Sequence, residues 1–124
     1  MQRQLVAWVL ALALWLPGSA SSALPASVRV EVECLLASVR NSGCLFFRNG
    51  TWHEGKAAEA HLRDKFDHLV FHGRIESVED FIEGAATTSS LSGRPCSLKC
   101  AGSEAVSSDR WLLNRLARHR AGDE

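Results

Sequence analysis

The sequence predicts a small α+β domain with the element order α-β-α-α-β-α, in which a short two-stranded antiparallel pair packs on helices. Three observations carry this. Long segments repeat their apolar residues at helical spacing, two short runs between them are bounded by turn residues, and 124 residues suit one domain.

Residues 28–41 place Val28, Val32, Leu35 or Leu36, and Val39 on one helical face. The alternation Val28-Val30-Val32-Cys34 would also suit a strand, but Gly43 supplies the residue that ends a helix, and the helix is favoured. Cys44 to Arg48 is a short aromatic run ending at Asn49-Gly50, a strand followed by a turn. Thr51-x-x-Glu54 has the form of a capping box that opens a helix over 54–72. Ala58, Leu62, Phe66 and Leu69 form its core stripe, and Gly73 stops it. A second box, Ser77-x-x-Asp80, opens a short helix through Ala86 with Val78, Phe81 and Ile82 inward. Thr87 to Pro95 is a polar loop, Cys96 to Cys100 a second strand, and Ala101 to Ser107 a loop. Ser107 or Ser108 caps a last helix to about His119 that carries Trp111, Leu112 and Leu116.

Ahead of this domain the chain has a positive start at Arg3, an apolar run from Leu5 to Leu16, and then Pro17-Gly18 and small residues. That order is the layout of a secretory signal peptide. At 1.5 Å per residue the run reaches about 18 Å, short of the roughly 30 Å that a membrane-spanning helix must cross. Ser21 and Ala23 fit the small-residue rule, so cleavage is expected after Ala23, with Ala20 the next choice. The expected organisation is therefore a cleaved leader, residues 1–23, and one exported domain, residues 24–124. Cleavage would place the protein in the periplasm or outside the cell, with no stable membrane insertion. Over the whole chain Lys+Arg 14 balances Asp+Glu 14, and the leader removes one Arg and no acid. Such a balance argues against a nucleic-acid partner, which would call for a basic excess.

All four cysteines, Cys34, Cys44, Cys96 and Cys100, lie beyond the leader. An even number in a small exported chain reads first as two disulfides. A zinc site would favour tight CxxC knuckles, which are missing here. On one strand, Cys96 and Cys100 would lie about 13 Å apart and could not pair. That leaves Cys44–Cys100 with Cys34–Cys96, or the swapped pairing.

Several residues invite a chemical reading. His61, Lys65, His68 and His72 share one helical stripe, and His68-x3-His72 has the spacing of two metal ligands. The segment reads HLVFH, however, so Leu69 stands where a metalloprotease helix has its Glu, and Lys65 would repel a cation. The stripe is expected to be a solvated polar face, with neither metal nor cofactor. Arg48-Asn49-Gly50 can grip an anion through the Arg48 fork, or can be plain turn chemistry. The loop Thr87-Thr88-Ser89-Ser90-Leu91-Ser92-Gly93 is rich in hydroxyls that suit a sugar or an anion, but it has no GxSxG elbow. Arg115, Arg118, His119 and Arg120 place positive charge at a helix C-terminus.

The segments FFRNGTWHEGKAAEAHLRDKF and SVEDFIEGAATTSSLSGRP carry a resemblance. Through Arg48-Asn49-Gly50, His53, Ala60-His61-Leu62 with Lys65, Ser77-x-Glu79-x-Phe81-Ile82, and Ser89-Ser90 with Ser92-Gly93 and Pro95, the chain resembles the YfeK-like family of small exported bacterial proteins of unknown function. The resemblance covers most of the chain after the leader. It implies export and one compact domain, and no known reaction. It also implies that Cys44 and Cys100 stand where many members carry Cys, whereas Cys96 replaces a common aromatic residue and Cys34 an apolar one. On that ground Cys34–Cys96 is expected as an added bridge beside Cys44–Cys100. The functional expectation is a non-enzymatic binding or accessory domain of the cell envelope, with an envelope protein or a small ligand as partner. Arg48, Asn49, His53, His61, Ser89 and Ser90 are the ligand-binding candidates. The alternative is a small hydrolase or transferase with a site near His53, His61 and Ser89-Ser90.

Overall fold

A computed structural model describes residues 23–89 and 92–123. The expected leader, apart from Ala23, lies outside the described residues, as does Ser90. The chain runs through α1 (Ala26–Asn41), β1 (Leu45–Arg48), β2 (Thr51–Glu54), α2 (Gly55–Phe71) and α3 (Val78–Phe81). A π-helical segment, Ile82–Ala86, continues α3, and β3 (Ser97–Lys99), β4 (Val106–Ser107) and α4 (Ser108–Ala121) follow. The fold is α+β, and the expected antiparallel pair is present: β1 and β3 match Leu45 with Lys99 and Phe46 with Leu98.

Two further strands make a four-stranded sheet of order β2-β1-β3-β4. The expected capping box at Thr51-x-x-Glu54 is corrected by the first of them. Asn49 and Gly50 both have left-handed backbone, at φ 51° and 81°, the geometry of a two-residue hairpin turn. The turn folds 51–54 back on β1, pairing Arg48 with Thr51 and Phe46 with His53. Glu54 then precedes α2 with no side-chain cap bond. β4 is two exposed residues long, too short to show alternation in the sequence. The Ser77 box does form: Asp80 N–H donates to Ser77 Oγ at 3.2 Å, and Ser77 N–H donates to Asp80 Oδ2 at 3.2 Å.

The core follows the helical stripes. Val32, Leu35, Leu36 and Val39 of α1 join Ala58, Leu62 and Phe66 of α2, and Phe81 meets Phe66 edge-on with centroids 5.4 Å apart. Buried Leu112 and Leu116 bring α4 onto the same core, with Phe46 and Leu98 from the sheet. The start of α2 abuts the end of α1 so closely that a Cβ on Gly55 would sit 2.5 Å from the Val39 carbonyl oxygen. Only glycine permits that approach. Ion pairs tie the helices outside the core. Arg63 donates to both oxygens of Glu33, at 2.7 and 2.9 Å, joining α2 to α1. Arg120 reaches Glu31 at 2.8 Å and Glu79 at 2.6 Å, joining α4 to α1 and α3.

Cys44 and Cys100 form a disulfide that flanks the β1–β3 pair at one end. The expected Cys34–Cys96 bridge is corrected: both are free thiols. Cys34 sits on α1, whose main neighbour is α2, whereas Cys96 lines a cleft that Cys34 does not reach. Without close approach of the two Cα atoms no bridge can close. Mass spectrometry of the unreduced protein is therefore expected to find the Cys44–Cys100 bond with free thiols at Cys34 and Cys96. With a sequence separation of 56, the Cys44→Ser, Cys100→Ser double variant should lose about 4 kcal/mol in urea unfolding, on the chain-entropy estimate.

Candidate functional site

Strand alternation puts Cys44, Phe46 and Arg48 of the β1 segment on the sheet's inner face, with His53 beside Phe46 and Cys96 on the same side as Leu98. The opposite face carries the Phe47–Trp52 ring pair, 5.1 Å between centroids, and exposed Leu45. Under the inner face lies a small, half-open cleft with an internal volume of about 40 Å³. α2 contributes Ala58, His61 and Leu62, the π-helical segment contributes Ala85 and Ala86, and α4 contributes Ser108 and Leu112. Arg48, His53, His61, Cys96 and Ser108 are the polar and sulfur groups among this apolar lining.

The cleft therefore unites three of the six ligand candidates, Arg48, His53 and His61. Asn49 is exposed in the hairpin turn and does not line it. Ser89 is buried elsewhere, in a loop closed by its own backbone: Ser89 N–H donates to Arg94 O, and Gly93 N–H to Ser89 O, both at 2.8 Å. Two wall residues, Cys96 and Ser108, escaped the sequence reading as cleft residues. Their signal was weak, namely the two-residue spacing from Cys96 to Leu98. Backbone bonds set them: Cys96 N–H donates to Thr87 O at 3.0 Å and Ser108 N–H to Cys96 O at 3.1 Å.

The expected polar stripe on α2 divides. His68 and His72 are exposed, with rings 4.4 Å apart. His61 turns into the cleft, and Lys65 donates to the carbonyls of Ala85 at 3.0 Å and Thr88 at 3.2 Å. Lys65 thereby satisfies carbonyls left open at the end of the π-helical segment. Gly84 lets that segment settle on α2, since a Cβ there would lie 3.0 Å from Leu69 Cδ1. Among the described residues, no group of three His, Cys, Asp or Glu side chains could hold a metal ion.

The electrostatics of the cleft are one-sided. The Arg48 guanidinium forms no ion pair or hydrogen bond with another described residue, unlike Arg40, Arg63 and Arg120. Burial lowers the His61 pKa to about 4, and Arg48, Lys65 and His53 push the same way against Asp64. The imidazole is thus neutral at pH 7. Burial raises the Cys96 thiol pKa, and Asp109 adds to this, while Lys65 and Arg48 pull it down. Burial also lowers the Lys65 pKa.

Comparison with known proteins meets this geometry at a family. Residues 26–120 match the family of unknown function DUF5329. The chain belongs to this family. The family's span runs from the start of α1 to the last turn of α4, so it includes every residue of the cleft. A relative, the uncharacterized protein YfeK of Salmonella typhimurium, is 33% identical over 93 residues, covering 75% of each chain. No solved structure matches.

Because His61 binds its proton less tightly folded than unfolded, protonating the unfolded chain draws the equilibrium toward unfolding. Stability should accordingly fall as pH drops from about 6.5 toward about 4. The lowered carboxylates Glu33 and Glu79 start from 4.5, so the upper part of that window reports on the histidine. Urea unfolding at intervals between pH 7 and 5 is expected to show a shallower loss for His61→Asn than for the parent chain.

Proposed function

We propose that the protein is an exported, non-catalytic binding domain that holds a small ligand in the cleft beneath the sheet. The observation that carries this reading is the convergence of Arg48, His53 and His61 over an apolar floor built from α2, α4 and the π-helical segment. Pockets that combine an apolar lining with a few convergent polar groups are the usual form of small-molecule sites. Export is supported by the leader-like layout of residues 1–23 and by the Cys44–Cys100 disulfide, a bond that persists in oxidising compartments. Among the described residues no helix is long and apolar enough to cross a membrane.

The alternative, a hydrolase or transferase, needs a nucleophile beside a histidine. Ser89 is not in the cleft, and Ser108, which is, forms no hydrogen bond with His53 or His61. The thiol of Cys96 lines the cleft too, but its pKa is raised, which opposes the thiolate that such chemistry uses. Binding is therefore the better reading.

Two measurements test it. N-terminal sequencing of protein collected from the periplasm or medium of a bacterium carrying the full-length gene should begin at Leu24; an intact chain held in the cytoplasm would refute export. An NMR screen of small fragments against the protein should give hits that shift the resonances of Phe46, His53, His61 and Leu112, and that fade in an Arg48→Ala, His53→Ala variant of unchanged fold. Hits that all map outside the cleft would refute the site.

A further inference from the structure

We infer that the cleft is a site for a small organic carboxylate, with the acid group on Arg48 and a compact apolar remainder among Ala58, Leu62, Ala85, Ala86 and Leu112. This rests on the reading of the cleft as a binding site and adds the class of ligand.

The argument begins with charge. Arg48 is half-buried, and no carboxylate among the described residues pairs with it. A half-buried guanidinium without a counter-ion is only partly screened by water and attracts an entering anion more strongly than a fully exposed one. The other charges facing the cleft do not change its sign. Lys65 is held by two backbone carbonyls. Asp64 and Asp109 act on His61 and Cys96 respectively, and neither forms an ion pair with Arg48. His53 stands beside Phe46 on the neighbouring strand.

One guanidinium fork suits one planar monoanion, which it can grip through two parallel hydrogen bonds. A phosphate dianion would bring two negative charges to a single available cation. The imidazole of His61, neutral at pH 7, can donate one hydrogen bond but adds no charge. A cation would meet Arg48 and Lys65 and be repelled. Most of the remaining lining, Ala57, Ala58, Leu62, Ala85, Ala86 and Leu112, is apolar, with the Ser108 hydroxyl as its one further oxygen donor, so it suits an apolar tail better than a polar one. Recognition therefore combines one anionic end with one apolar end.

The test is an NMR titration of the exported protein with three probes: 3-methylbutanoate, its neutral amide, and inorganic phosphate. The acid should shift the cleft resonances saturably and bind at least tenfold more tightly than the amide or phosphate, the order expected of a charge-assisted bond. Arg48→Gln should cut the affinity for the acid at least tenfold without changing that for the amide. Arg48→Lys, which keeps the charge without the fork, should recover part of it. If the amide binds as well as the acid, the carboxylate inference falls and the binding reading stands. If phosphate binds more tightly than the acid, the site is a general anion site and the inference again falls. If no probe shifts the cleft, the inference is overturned, and the fragment screen decides the binding reading by itself.

Discussion

Because side chains alternate between the faces of a strand, the matching of Leu45 with Lys99 decides which residues of β1 and β3 reach the interior. In the observed register Phe46 and Leu98 meet in the core, Arg48 and Cys96 reach the cleft, and Phe47 and Trp52 are left on the outer face. A shift by one residue would exchange the two sets and abolish core and cleft together. These strands are only four and three residues long, so the backbone ladder alone holds the register weakly. The disulfide, at residues directly flanking the matched pair, supplies what the short ladder lacks.

A contrast among the arginines gives the cleft its character. Arg63 and Arg120 bind carboxylates of neighbouring helices, and Arg115 lies over the Trp111 ring with its guanidinium carbon 4.8 Å from the centroid. The ion pairs hold helices together and the ring contact lies within α4, all at exposed positions where each contributes little. Arg48 has no such task among the described residues. It is also the arginine that the sheet carries to the edge of an apolar hollow, where a charge is felt over a longer range than in water.

The helices were legible in the sequence because their stripes match their burial closely. Val32, Leu35, Leu36 and Val39 of α1, and Ala58, Leu62 and Phe66 of α2, are buried as the spacing requires. The second strand was hidden by a local pattern with two readings. Thr51-x-x-Glu54 fits a helix cap, but Asn49-Gly50 just before it closes a hairpin, and the hairpin matches four residue pairs where the cap would tie one. The site was half legible. Arg48, His53 and His61 stand out by residue type, whereas Cys96, Ser108 and the alanines of the π-helical segment become cleft residues only through contacts distant in sequence. Counting cysteines favoured a second bridge, but parity says nothing about the distance between thiols on separate elements.

The cleft also has two histories within one chain. Arg48, His53 and His61 come from a hairpin and the helix that directly follows it, so that half depends on contacts between near neighbours in sequence. Cys96, Ser108 and Leu112 arrive from beyond the π-helical segment, just before β3 and on α4, and β3 is tied beside β1 by a disulfide with a sequence separation of 56. Local contacts form fast and distant ones slowly, since loop closure must come before the reward of contact. The charged wall thus asks for little loop closure, whereas the sulfur-bearing wall carries the larger closure cost, which the Cys44–Cys100 bond reduces once it has formed.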